Sequence, residues 1–366
     1  MKEVRPILQV LPRLPGKPDG VGDYARTLAD RLREHHNLET TFVAAKAPDL
    51  EATVSFPGHF PFREFARRPL ERQAAIILHY VNYGYGRRGI PLWLPSALRR
   101  LKSAGPLLTI FHELYALGSW RRSAFWLRPL QIRIARQVAE LSESAVVSNE
   151  VSCNRLKELA PRLRTIIHPV ISNLGEPKLA ETLIATRDPH RWAIFGGNDL
   201  IERSLRSFSK VLPQIDSWCA PRELYLIGGT ENPSWRRLAE EQHSFKTHFY
   251  PEVSAAMASE ILGKCAFGWI DYFVRADEPI AAILKSSAFA ALCAHGLIGV
   301  TPSTSGSIGL GSDRLPGPFF LAPMEKKLPS ESEWKQVAAE IHSWYQRNAS
   351  SDHLAATVAT ALDSTA

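Results

Sequence analysis

The chain has 366 residues, 45% of them hydrophobic and 22% charged, an ordinary globular composition long enough for two domains. Its formal net charge of +7 suits phosphorylated ligands, nucleic acid or an anionic membrane surface and does not choose among them. Cys153, Cys219, Cys265 and Cys293 form no Cys-x-x-Cys pair and no zinc-like spacing, which excludes a disulfide scaffold and reads as buried, reduced thiols in a cytosolic protein. The opening Met1-Lys2-Glu3-Val4-Arg5 precedes only a short apolar run, and no window reaches 18 uninterrupted apolar residues. The expectation is a soluble, cytoplasmic chain with no secretory signal and no spanning helix.

Apolar strand-like runs alternate with helical patterns. Pro6–Leu11 reads as a strand, Tyr24–Glu34 as a helix and Thr40–Ala44 as a second strand. Ala75–Val81 and Leu107–Phe111 are two further strands, separated by a helix over Leu92–Ser103. A long basic helical stretch runs from Trp120 to Leu141. Ala145–Ser148, a helix to Leu159 and Arg164–His168 close the first half. Pro169–Pro189 has the prolines and weak periodicity of a linker. Strands then recur at Trp192–Phe195, Leu224–Ile227, Lys246–Tyr250, Ala266–Ile270 and Ile298–Thr301. Helices fall between them at Ile201–Leu212, Ser234–Gln242, Ser254–Leu262 and Ile280–His295, with two more at the end, Glu331–Arg347 and His353–Leu362. The alternation predicts an α/β protein of two doubly wound, Rossmann-like domains with a central cleft. Their expected bounds are 1–170 and 191–366, joined by a linker over 171–190, with the terminal helix able to pack back on the first domain.

Pro18-Asp19-Gly20-Val21-Gly22-Asp23-Tyr24-Ala25 lies between a strand and a helix. Gly20 and Gly22 let the backbone approach a ligand, and the helix N-terminus favours an anion such as a diphosphate. Asp23 either caps the helix or binds an acceptor hydroxyl, and the bland alternative is a plain turn. The segment also fits G-x-G-x-x-A. A nicotinamide cofactor is disfavoured because three prolines separate the loop from its strand and no acidic residue ends the second strand. His112 follows Leu107–Phe111 and faces the ligand edge of the sheet, with Glu113 beside it to orient it or to be solvated. Between Glu113 and Glu140 the chain carries Arg121, Arg122, Arg128, Arg133 and Arg136 among Trp120, Phe125, Trp126 and Leu127. That texture suits an anionic membrane surface or a lipid-linked phosphate, or a solvated helix face. With no nucleic-acid motif beside it, nucleic acid is not expected as a partner. In the second half, Gly197-Asn198 closes a strand, and Arg203 and Lys285 sit early in helices, where two cations could neutralise a diphosphate leaving group. Ser286 and Ser287 either cap a helix or donate to phosphate.

Together these segments resemble the GT-B glycosyltransferases and, within them, the glycosyltransferase family 4-like enzymes. Pro18–Ala25 looks like their glycine loop and Phe111–Leu114 like their histidine loop. Pro169–Asn173 is similar to their entry into the second domain, and Ala290–Leu297 to their glycine-ended donor helix. The resemblance implies a metal-independent, configuration-retaining hexosyltransferase without cofactor, taking a nucleotide-diphosphate sugar as co-substrate. It implies a glycan, lipid-linked or small-molecule acceptor, in bacterial polysaccharide or other glycoconjugate synthesis, with peripheral contact at the inner membrane face. His112, Arg203 and Lys285 would be catalytic. Gly20, Gly22, Gly197, Asn198, Ser286, Ser287 and Glu278 would bind the donor, and Asp23, Tyr24 and Glu113 the acceptor. The chain departs from the pattern at three places. Asn198 replaces an arginine, and Ile283 and Ala291 replace the two glutamates of the donor helix. Either Glu278 or another residue takes over the ribose, or the chain is a non-catalytic subunit that binds a glycan or a partner.

Overall fold

The computed structural model describes residues 5–13, 20–45, 60–61, 75–116, 123–241, 244–275, 277–302, 305–322 and 325–364. The chain divides into two compact units, 1–169 with 351–366, and 170–350.

The first unit is built on β1 (Arg5–Leu11), β2 (Leu38–Ala44), β3 (Phe60–Pro61), β4 (Ala75–Tyr80), β5 (Leu107–Phe111), β6 (Ser144–Val147) and β7 (Arg164–Ile167). They form one parallel sheet in the order β3-β2-β1-β4-β5-β6-β7. Every residue of β4 and β5 is buried, as strands covered on both faces must be. The helices are α1 (Gly20–His36), α2 (Asn82–Tyr85), α3 (Leu94–Leu101), α4 (Ser123–Leu141) and α5 (Glu150–Leu159). In α1, Tyr24, Leu28 and Leu32 share a buried face, and Arg33, His35 and His36 complement the dipole in its last turn. Asn149 caps α5 by accepting from the Ser152 N–H at 2.9 Å. The C-terminal helix Ser351–Asp363 packs beside α1, and Arg31 joins them by donating to Ser351 Oγ at 3.2 Å and pairing with Asp352.

The second unit contains α6 (Glu181–Ala185), α7 (Asn198–Val211), α8 (Pro233–Glu240), α9 (Ala255–Gly263), α10 (Ser287–Ala294) and α11 (Trp334–Asn348). Its strands are β8 (Asp188–Phe195), β9 (Glu223–Ile227), β10 (Lys246–Tyr250), β11 (Cys265–Trp269), β12 (Ile298–Thr301), β13 (Ile308–Leu310), β14 (Asp313–Leu315), β15 (Phe319–Ala322) and β16 (Glu325–Lys327). The main sheet runs β10-β9-β8-β11-β12-β15-β16, parallel except for β16, and β13 and β14 form a separate hairpin. The doubly wound parallel architecture is therefore the one the alternation predicts. Strand order reverses between β1 and β4 in the first unit and between β8 and β11 in the second. Such switch points open a crevice at the carboxyl ends of the strands, where ligands bind in open α/β sheets.

Two local expectations change. The glycines Gly20 and Gly22 belong to the first turn of α1 rather than to a loop before it. The expected helix over 280–295 is two elements, a 3-10 turn Ile280–Lys285 and α10. The break falls at Ser286, whose extended backbone lets its Oγ accept from the Phe289 N–H at 3.2 Å and start a new helix.

Candidate active site

In the first unit, the switch point gathers side chains from β1, β2, β4, α1 and the loop after β5. His112 follows β5 directly, and its N–H donates to the Tyr80 carbonyl at 3.1 Å. Its Nε2 lies 3.1 Å from Nδ1 of His79, the penultimate residue of β4. His79 is wholly buried, and its Nε2 lies 2.8 Å from Gln9 Oε1 in β1. Gln9, also wholly buried, donates through Nε2 to Thr40 Oγ1 of β2 at 3.2 Å. A polar chain thus crosses the sheet from β2 to the loop after β5. Burial, and next the neighbouring His112, hold the His79 imidazole well below its ordinary pKa. Tyr24, in the second turn of α1, packs its buried ring edge-on against His112 at 4.9 Å and against His79 at 5.9 Å. Burial raises the Tyr24 phenol above its ordinary pKa, so the ring is a neutral wall.

Two further contacts fix the floor and the loop. The Tyr85 hydroxyl lies 3.0 Å from the Val10 carbonyl and 2.9 Å from that of His79, bridging β1 and β4. Buried Gln131 of α4 accepts from the Ala116 N–H at 2.9 Å and donates to the Arg88 carbonyl at 2.8 Å. The loop bearing His112 is therefore tied to the loop after β4.

Of the sequence-derived residues, Gly20, Gly22, Asp23 and Tyr24 stand on the first turns of the helix that meets His112. Gly20 is exposed with open space where a side chain would go, Gly22 is buried, and Asp23 is half-buried. Glu113 is half-buried beside His112. Pro18 and Asp19 lie outside the described residues, as do Trp120, Arg121 and Arg122 of the basic stretch. His79 and Gln9 were not singled out by sequence. The available signal was a polar residue inside each of two apolar strands.

In the second unit, β8 runs into Gly196-Gly197 and β9 into Gly228-Gly229. A Cβ at Gly228 would meet the Gly196 carbonyl oxygen at 2.6 Å, and both Gly228 and Gly229 have positive φ, 94° and 62°. The two loops therefore need glycine to approach each other. Asn198 fastens them: its Oδ1 accepts from the Thr230 N–H at 2.9 Å and its Nδ2 donates to Thr230 Oγ1 at 2.8 Å. The exposed Gly197, with open space before it, is the N-cap residue of α7.

Arg203 stands in the second turn of α7, and it is anchored. Nε donates to the Asp271 carbonyl at 2.7 Å and Nη2 to the Tyr272 carbonyl at 3.1 Å. The Asp271 N–H in turn donates to Ser204 Oγ at 3.1 Å. These bonds stitch α7 to the chain leaving β11, and burial raises the Asp271 carboxyl above its usual pKa. Lys285 is exposed and ends the 3-10 turn, one residue before the cap, rather than lying within a helix. Ser286 is the buried cap residue and Ser287 the first helical residue. Glu278 is half-buried in the segment after β11. Ile283 and Ala291 are both fully buried in the core. The same helix lies tight on the sheet: a Cβ on Gly268 would meet Leu292 at 2.6 Å, and one on Gly299 would meet Phe289 at 2.8 Å. Helix α10 is pressed onto β11 and β12 through Leu292 and Phe289, and Ala291 has no exposed surface.

Among the described residues, no group of three or more His, Cys, Asp or Glu is arranged to hold a metal ion, and no helix is long and apolar enough to cross a membrane.

No protein-family model and no curated sequence matches the chain. Solved structures do. An alpha-glucosyltransferase in complex with UDP-glucose and DNA containing an abasic site is 11% identical, covers 98% of this chain and 99% of its own, and gives a TM-score of 0.58. The N-terminal domain of Candida albicans trehalose-6-phosphate phosphatase is 11% identical over 100% and 99%, with a TM-score of 0.58. AviGT4, a glycosyltransferase of avilamycin A biosynthesis, is 11% identical over 99% and 98%, with a TM-score of 0.55. The expectation that nucleic acid is no partner is overturned here, because a protein of this fold was solved with DNA bound. The absence of a recognised motif does not exclude nucleic acid, since backbone phosphate contacts need only exposed cations. The likeness shows the fold: two Rossmann-like units, as in GT-B glycosyltransferases.

Proposed function

We propose that this protein is a glycosyltransferase taking a nucleotide-diphosphate sugar as its co-substrate. The observation that supports the reading most is the His112 cluster at the switch point of the first unit. It places an imidazole, backed by a buried polar chain, beside the first turns of α1. A helix N-terminus favours an anion, and a histidine there can accept a hydrogen bond from a sugar hydroxyl. In this reading the second unit takes the nucleotide diphosphate near Gly197, Lys285 and Ser287, and Glu278 is the acidic candidate for the ribose. Arg203 acts by holding the chain after β11 in place. Retention of configuration and hexose transfer follow from the family resemblance, and the acceptor is a hydroxyl-bearing molecule whose class is left to assay.

A second reading, a non-catalytic binding subunit, is favoured by one observation: buried Ile283 and Ala291 stand where donor-helix glutamates are expected. One experiment separates the two. The protein is incubated with a panel of nucleotide sugars, and nucleoside diphosphate release is measured. The transferase reading expects release, lowered by about 100-fold or more in His112→Ala with the thermal midpoint retained. Nucleotide binding without release in any acceptor mixture would favour the binding subunit. Neither binding nor release would overturn the transferase reading.

A further inference from the structure

We infer that His79 is a positioning residue: through the chain Gln9–His79–His112 it sets which nitrogen of His112 carries the proton. The argument runs outward from the sheet. Gln9 Nε2 donates to Thr40 Oγ1, which turns Oε1 toward His79. An amide oxygen only accepts, so the His79 Nε2 that lies 2.8 Å from it bears the hydrogen. His79 is wholly buried, and a buried imidazole without a counter-charge stays neutral. Its Nδ1 therefore carries a lone pair. His112 Nε2, 3.1 Å away, is the donor to that lone pair. His112 thereby carries a hydrogen on Nε2, and in the neutral ring this leaves Nδ1 as the acceptor.

The surroundings hold this geometry. Tyr24 from α1 stands edge-on to both imidazoles, with interplanar angles of 88° and 77°. The Tyr85 hydroxyl holds the His79 carbonyl, and the Tyr80 carbonyl holds the His112 N–H. Among the described residues, the titratable groups recorded against the pair are Tyr24 of α1, whose ring meets both imidazoles, and Tyr85 of α2, whose hydroxyl bonds the His79 carbonyl. A histidine in this state accepts a hydrogen bond from a hydroxyl and offers no cation to a phosphate. The proposal deepens the transferase reading: its consequence for turnover rests on that reading, whereas the protonation of the ring does not.

The test is nitrogen NMR of the histidine rings in the full chain labelled with 15N-histidine, for the wild type, His79→Leu and His79→Gln. His112 is assigned by its loss in His112→Ala. The expected wild-type spectrum at neutral pH shows His112 protonated at Nε2 alone. His79→Leu removes the acceptor, and the His112 tautomers then mix. In His79→Gln, an amide can accept from His112 and donate to Gln9, and the Nε2–H form returns. Where transfer is measurable, His79→Leu lowers kcat by about 10- to 100-fold, the scale of losing a second-layer partner, and His79→Gln recovers most of it. A wild-type His112 protonated at Nδ1, or doubly protonated, overturns the proposal even if His79→Leu does not fold. So does a folded His79→Leu whose His112 keeps Nε2–H alone. A correct tautomer with no transferase activity leaves the positioning role standing and removes the transferase reading instead.

Discussion

The family that the sequence resembles carries a carboxylate where this chain has Ala291, an alanine with no exposed surface. Introducing that carboxylate is therefore predicted to fail. Ala291→Glu buries a charge without a partner and overfills a helix already pressed on two strands, costing about 3 kcal/mol or more. A thermal or denaturant melt checks this; an unchanged midpoint would show that position 291 opens toward solvent. Asn198 differs from the resembled pattern in another way. Its amide spans the two glycine loops, so Asn198→Ala removes two hydrogen bonds at a half-exposed site, a loss of about 1–2 kcal/mol in a urea titration. His112 was legible because a histidine just past an apolar strand must emerge on the ligand edge. Gln9 and His79 were not, because a period-two pattern says which face a strand residue takes but not which neighbouring strand supplies its partner. Arg203 was legible as a cation near the ligand edge, but its use on two carbonyls depends on the path of the chain after β11.

At the scale of elements, alternation of apolar runs with helical periods located the strands that carry the site. The short terminal pieces escaped. Phe319–Ala322 and Glu325–Lys327 are three or four residues long and lie among prolines, where pairing rather than local pattern decides the strand, β15 with β12 and β16 with β15. The expected single helix over 280–295 broke for a reason visible only in the backbone: Ser286 caps a second helix. Ser286→Ala is expected to cost about 1 kcal/mol, read as a lowered denaturation midpoint, and an unaltered midpoint would show that α10 starts without the cap. Gly229→Ala is expected to be worse. Its Cβ would meet Asn198 Oδ1 at 2.1 Å, from a φ of 62° that alanine resists. The variant should lose stability and, on the transferase reading, nucleotide affinity as well. A fully stable Gly229→Ala would contradict the tight junction of the two loops.

For the whole molecule, buried imidazoles make acid the natural enemy of the fold. Burial is the first cause of lowered pKa values at His79, at His168, lowered to about 3, and at His295, lowered to about 4. His342 and His353 shift the same way. Above pH 6.5 these rings are neutral whether the chain is folded or not, so they contribute no pH dependence. As pH falls below 6.5 the unfolded chain binds protons that the folded chain refuses, and stability is lost down to the folded pKa values. Each strongly shifted ring gives a slope of about 1.4 kcal/mol per pH unit. His79, His168 and His295 together give a loss of roughly 4 kcal/mol between pH 7.5 and 5.5. Urea midpoints at the two pH values check this, and equal midpoints would contradict it.

The two-unit architecture could be read from the strand–helix alternation, because each doubly wound sheet buries apolar strands of regular spacing. The use of that architecture could not, since ligand choice lies in loop side chains rather than in the fold. The central claim is that the fold binds a nucleotide-diphosphate sugar. Isothermal titration of the full chain with a panel of nucleoside diphosphates and their sugar conjugates, UDP-glucose among them, tests it most directly. The account predicts saturable, one-to-one binding of at least one conjugate, weakened by about 10-fold or more in Gly229→Ala. A folded protein that takes up none of them would contradict it.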